Sequence, residues 1–212
     1  PLVVSGMRGM GKTVLLLSFR DRLRQAGWLC PAIGEFDSSH RGLAGVWGEM
    51  AEELERISPR RPPRQRRRWG VEQVGPQASA EAAGTVRQAA QGDLRRRLFE
   101  FARWLGQSRL RAAFLFDEAQ DASLLDLGLL AEVGHEASKE RWPLLVVFAG
   151  LTPLHDKLVR ARTYASRFTP VDVDVLSEAE AREALQVPAS EAGVAWERKA
   201  LGAALDFARG VP

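Results

Sequence analysis

Gly6-Met7-Arg8-Gly9-Met10-Gly11-Lys12-Thr13 gathers three glycines, a lysine and a hydroxyl into one short segment. This is the spacing G-x-x-x-x-G-K-[ST], whose chemistry is phosphate binding. Glycines let the backbone curl so that successive N–H groups point inward, making a nest for phosphate oxygens. A helix opening at Lys12 adds its positive dipole end. The Lys12 ammonium suits the β- and γ-phosphates, and the Thr13 hydroxyl suits a Mg2+ ion beside them. A glycine turn can match the string by coincidence. Here it follows an apolar strand-like run and opens an amphipathic helix, the context that a phosphate loop requires. Val14 closes the contact segment.

A second cluster is Phe114-Leu115-Phe116-Asp117-Glu118, an apolar run ending in paired carboxylates. At the carboxyl edge of a parallel sheet, where ligands bind in open α/β folds, Asp117 would stand beside the phosphate loop. One carboxylate can then support a Mg2+ shell, and the next can orient and polarise an attacking water. A strand running into Asp-Glu is otherwise only a solvated strand end; the upstream phosphate loop favours the functional reading. His40, His135, His155 and Cys30 have no metal-ligand spacing.

The elements that must position these residues follow from the apolar pattern. Strands are expected at Pro1–Ser5, Trp28–Phe36, Arg111–Asp117, Leu144–Ala149 and Val171–Val175. Helices are expected at Lys12–Ala26, with Val14, Leu15, Leu16, Phe19 and Leu23 as its apolar positions, and at Leu43–Ile57, Asp93–Leu105 and Ser123–Lys139. A short helix begins near Pro153, a Ser177/Glu180 capping box opens one running to Leu185, and Glu191–Arg209 is the last. Trp47 and Trp104 fall on apolar helix faces and belong to the core. The alternation argues for an α/β sandwich around a mainly parallel sheet. Residues 58–92 lose the pattern and read as a mobile insertion, within which Ala78–Gln91 has weak helical character.

With 212 residues, 45% hydrophobic and 27% charged, the chain has material for one full core and excludes collagen-like, disulfide-stapled and wholly disordered classes. Six of its arginines fall between Arg60 and Arg68, so the formal charge of +3 belongs to one short run and the remainder is net acidic. That run is a solvated loop or a contact for nucleic acid or another acidic partner. One cysteine, no signal-peptide pattern and no apolar run long enough to span a bilayer together suggest a cytoplasmic protein with no membrane partner. Arginine outnumbers lysine 26 to 4 and asparagine is absent, a GC-rich codon bias suggesting a bacterial source. The ends, Pro1 within an apolar run and Val211-Pro212 without a cap, read as a piece of something longer.

The two clusters together resemble the P-loop ATPases of the AAA+ superfamily, Gly6–Thr13 as the Walker A loop and Phe114–Glu118 as Walker B. The resemblance implies a three-layer P-loop NTPase sandwich with a five-stranded sheet in the order 5-1-4-3-2. It implies ATP and Mg2+ as cofactors, Asp117 and Thr13 at the metal, Lys12 at the phosphates, and Glu118 as catalytic base. A polar sensor residue follows the fourth strand in that family, and Thr152 stands there; as a turn or N-cap residue beside Pro153 it would have a structural role instead. Clamp-loader and origin-initiator members carry a Ser-Arg pair before the fifth strand that acts on a neighbouring subunit, and Ser166-Arg167 stands there. This implies a homo-oligomer, unless Arg167 is a surface or salt-bridging arginine. Phe207–Pro212 resembles the glycine-proline corner in the lids of archaeal-type and STAND ATPases, with Arg209 as a sensor-2 candidate. On this basis residues 1–176 form the ATPase core and 177–212 begin a small helical lid.

Three functions remain open at this stage: an AAA+/STAND-type ATPase that couples the nucleotide state to attached domains, a nucleotide-gated regulator without turnover, and a P-loop small-molecule kinase. ATP is favoured over GTP because the guanine-reading Asn-Lys-x-Asp pattern of small GTPases is absent.

Overall fold

The computed structural model describes residues 1–36, 42–59 and 80–211, and only the backbone of 80–90. His40, the Arg60–Arg68 run with its nucleic-acid expectation, and most of the expected insertion lie outside the described residues. The strands are β1 (Leu2–Ser5), β2 (Gly34–Glu35), β3 (Ala112–Asp117), β4 (Leu144–Gly150) and β5 (Thr169–Asp172). They form one sheet in the order β2-β3-β4-β1-β5, every neighbouring pair parallel. This is the expected order read from the opposite edge.

Burial along the strands alternates with a period of two between the faces. Val3, Phe114, Phe116, Val146 and Phe148 point into one core, and Val4, Ala113, Leu115, Val147 and Ala149 into the other. Both faces are covered, which is why β3 and β4 are continuous apolar runs. The larger core lies under α2 (Gly42–Ile57), α3 (Ala80–Ser108), α4 (Leu124–Lys139) and α5 (Leu154–Ala161). At its centre fully buried Trp47 meets the rings of Phe101 and Phe114 edge-on, at 5.8 and 5.2 Å. Each such contact is worth roughly 0.5–1.5 kcal/mol beyond area burial. The smaller core is covered by α1 (Lys12–Gln25) through Leu16 and Leu23.

Several boundaries differ from the sequence reading. Only Gly34–Glu35 pairs as β2, because Pro31 interrupts the segment after Leu29 has made one isolated bridge to Ala112. β5 starts two residues earlier than expected; Pro170 is tolerated because the strand lies at the edge. Helical order resumes at Ala80 rather than Asp93: the weak helical character expected within Ala78–Gln91 is realised from Ala80 on, continuous with the next helix as α3. The alanine-rich composition of 80–92 has the highest helix propensity and outweighs Gly84 and Gly92. Asp93 bonds Arg96 and Arg97 one turn on. Helix α6 (Glu178–Glu191) opens on the expected capping box and continues past Leu185 through Pro188. The carbonyl that loses its partner there belongs to exposed Ala184, within reach of water. Gly193, in the left-handed region at φ 71°, then separates α6 from α7 (Arg198–Ala208), which starts later than expected. No helix among the described residues is long and apolar enough to cross a membrane.

Candidate functional site

At the carboxyl end of β1 the chain enters the glycine loop. Gly9 and Gly11 have φ of 85° and 74°, the left-handed region where glycine carries no Cβ penalty. Gly11 is the N-cap of α1, with no side-chain cap, and no acidic residue stands in the first turn. An α-helix leaves its first N–H groups without intrahelical partners, so this end offers donors and a positive dipole to an anion. Lys12 is buried at 7% exposure, and its Nζ donates to the Gly6 and Met7 carbonyls at 3.0 and 2.7 Å. Two of its three donors thus hold the ammonium over the loop.

Thr13 reaches across the sheet: its Oγ1 donates to Asp117 Oδ2 at 2.6 Å. Asp117, 5% exposed, also accepts the Glu118 N–H on Oδ1 at 2.9 Å. Glu118 itself lies in the left-handed region at φ 47°, ending β3 abruptly. It caps a 3-10 turn, Ala119–Asp121. The loop and the acidic strand end, 104 residues apart in sequence, are therefore in direct contact.

Between them opens a cleft of about 1010 Å³, at the upper end of the range for small-molecule sites. Arg8, Gly9, Met10, Gly11, Lys12, Thr13 and Val14 line it, and so does Glu118. Leu15 also lines the cleft, and both it and Val14 are exposed, at 43% and 67%, rather than packed in the core as the apolar pattern suggested. Helix α1 covers this face with Leu16 and Leu23, and its first turn overhangs the cleft instead of the sheet.

Among the lining residues that escaped the sequence reading are Ser18, Glu35, Phe36, Asp121, Leu151 and Leu176. Glu35 pairs in register with Asp117, which only the strand pairing reveals. Gln120 was missed as well; its position two residues beyond Glu118 was the available signal. Its Nε2 donates to Glu118 Oε2 at 2.5 Å.

Other expected site residues stand apart. Thr152 is exposed in the turn after β4, one residue beyond Leu151, and is not part of the cleft lining. Arg167 is exposed in a 3-10 turn before β5. Because Thr169 pairs with Leu2, at the start of β1, Arg167 lies at the opposite edge of the sheet from the loop. Strands of this length separate the edges by roughly 10–13 Å, so Arg167 and the loop of the same chain are not brought together. Arg209, with φ 48°, caps the end of α7 and is exposed.

The donor set suits magnesium. No group of three or more His, Cys, Asp or Glu side chains assembles a metal cage among the described residues. Mg2+ needs no such cage, since one or two protein oxygens plus substrate phosphates and water complete its shell. A hydroxyl touching a carboxylate beside an uncapped helix end provides that arrangement.

The family model for the AAA ATPase domain matches residues 1–147. Among solved structures the chain is similar to the crystal structure of Cdc6p from Pyrobaculum aerophilum, at 17% identity and a TM-score of 0.56. That match covers 92% of this chain and 44% of the other, and at this identity it speaks for the fold. No curated protein matches. The family match spans more than half of the chain and includes both the glycine loop and the acidic strand end: the chain belongs to the AAA ATPase domain family, a nucleotide-binding ATPase module of the AAA+ superfamily.

Proposed function

We propose that the cleft binds ATP with Mg2+, that the chain hydrolyses it, and that the nucleotide state is coupled to movement of attached domains or partners. The observation that carries this reading is the Thr13–Asp117 hydrogen bond, which joins the phosphate-type loop to the acidic strand end. The loop N–H groups and the end of α1 bind the phosphates, and Lys12 exchanges its two loop carbonyls for phosphate oxygens. Thr13 and Asp117 hold the metal, which when bound neutralises charge on the transferring phosphoryl oxygens. Glu118 orients the attacking water and accepts its proton on the carboxylate. Val14 contributes to the nucleotide contact from the cleft mouth.

Thr152 keeps its assignment as a sensor through its position beside Leu151 at the carboxyl end of β4. Arg167, remote from its own loop, serves the site of a neighbouring copy, which makes the working form an oligomer. Helices α6 and α7 act as the lid; the link to the cleft is Leu176, whose N–H donates to Gly210 O at 2.7 Å.

Two variants test the reading. Lys12→Ala is expected to lose calorimetrically measured Mg·ATP uptake, and Glu118→Gln to keep uptake while losing phosphate release. Undiminished uptake in the first refutes the binding site. Unchanged turnover in the second removes Glu118 from its role, and normal binding without turnover in the wild type favours the gated regulator instead.

A further inference from the structure

Gln120 uses both ends of its side-chain amide. Nε2 donates to Glu118 Oε2 at 2.5 Å, with Asp121 Oδ2 a distant second acceptor at 3.4 Å. Oε1 accepts the backbone N–H of Leu151, at the end of β4, at 3.0 Å. Since a backbone N–H can face only the oxygen, the amide cannot flip, and the donor end must face the carboxylate. The backbone is fixed too: Lys157 on α5 donates to the Gln120 and Ala122 carbonyls at 2.6 and 2.7 Å. Gly150 leaves room for the amide, because a Cβ there would collide with Gln120 Oε1.

We infer that Gln120 is a positioning residue: it pins one oxygen of Glu118 to the end of β4 and leaves the other, Oε1, to meet the attacking water. This rests on the hydrolysis reading above. Glu118 itself occupies a left-handed backbone position and hangs over an open cleft, so without the amide its carboxylate samples several rotamers. Holding it in one of them raises the fraction of encounters in which the water's proton has an acceptor in reach. The same amide makes Glu118 geometry follow the end of β4 and the turn at Leu151–Pro153, with α5 behind it.

The test compares Gln120→Ala with Gln120→Met, which keeps the side-chain length without the amide, in the 212-residue chain. Single-turnover hydrolysis of Mg·ATP and the Kd for a fluorescent ATP analogue are measured in parallel. Losing a hydrogen bond to a charged group predicts a roughly 10- to 100-fold slower rate, with Kd changed by less than about twofold because Glu118, not the phosphate cradle, is disturbed. Combined with Glu118→Gln, the Gln120 variants are expected to cause no further loss. Gln120→Met turnover within twofold of wild type, a Kd that weakens in step with the rate, or a loss that adds in full to that of Glu118→Gln each overturns the inference while leaving the hydrolysis reading intact. Absence of turnover in the wild type overturns both.

Discussion

Thr13→Val removes the hydroxyl that ties α1 to β3 while keeping the side chain's shape and β-branching. The lost bond is short, 2.6 Å, and ends on a carboxylate that is only 5% exposed, so it belongs to the charge-assisted class. Breaking such a bond costs about 1.5–3 kcal/mol. Two features hold the cost near the lower end: Asp117 Oδ1 keeps the Glu118 N–H, and Thr13 is itself exposed, so water can replace the hydroxyl. At ~2–4 °C per kcal/mol for a chain of this size, a loss of about 1.5 kcal/mol lowers Tm by roughly 3–6 °C in nucleotide-free buffer with EDTA. Thr13→Ser should restore it. The second arm adds ATP with and without Mg2+. Ligand at a hundredfold excess over Kd stabilises by about 2.7 kcal/mol, and in the valine variant the part of that gain that depends on Mg2+ should vanish. A valine variant with wild-type Tm and an undiminished Mg2+ effect would refute both the contact and its assignment to the metal.

Two further outcomes follow from groups outside the cleft. Cys30 is fully buried, and burial pushes its thiol up to about 11, opposed in part by Arg24 and Arg20; at about pH 8 the folded chain should resist thiol-disulfide reagents and label stoichiometrically only in denaturant, whereas rapid native labelling would refute the burial. At Asp93 burial raises the carboxyl, but the hydrogen bonds from Arg97 and Arg96 outweigh it and hold the group below the usual carboxylate range. Its contribution is then complete above the unfolded value of about 3.9 and is lost as pH falls through the lowered native value. Asp93→Asn should therefore lower the urea midpoint near neutral pH by the equivalent of about 1 kcal/mol, the pairs being still reached by solvent, and the gap to wild type should close in acid.

Legibility differed from element to element for physical reasons. β3 and β4 stand out because a strand covered on both faces must be apolar throughout, and few other elements are so uniform at that length. The glycine loop stands out because its backbone conformation and its lysine are both written in residue type. β2 is misread because edge pairing is a tertiary fact: Trp28–Phe36 carries strand-like composition, yet apart from the isolated bridge at Leu29 only Gly34–Glu35 pairs as a strand. α3 is read as a weak helix followed by a strong one, because Gly84 and Gly92 punctuate a stretch whose alanines nonetheless favour one continuous helix. Val14 and Leu15 are apolar at helical spacing, and spacing alone cannot tell a core face from the wall of a cleft. Gln120 and Glu35 are polar residues whose importance lies in what stands opposite them, and periodicity carries no such information.

The geometry of the site turns on the insertion of β4 between β1 and β3. The glycine loop leaves β1 and the carboxylates end β3, so the two clusters begin about 10 Å apart, two strand spacings. The gap is closed from one side by α1, which packs Leu16 and Leu23 in one cluster with Ala113 and Leu115 of β3 and Val147 of β4, carrying Thr13 over to Asp117. It is closed from the other by Gln120, which joins Glu118 to Leu151 just beyond β4. What remains open between these two bridges is the cleft, with cationic and N–H donors on the β1 side and acids on the β3 side. A small displacement of β4 would change Glu118 through Gln120 while leaving the Thr13–Asp117 link in place. Under the proposed function, metal holding and water activation would thus be carried by separate contacts, and binding without turnover would require disturbance of only the second.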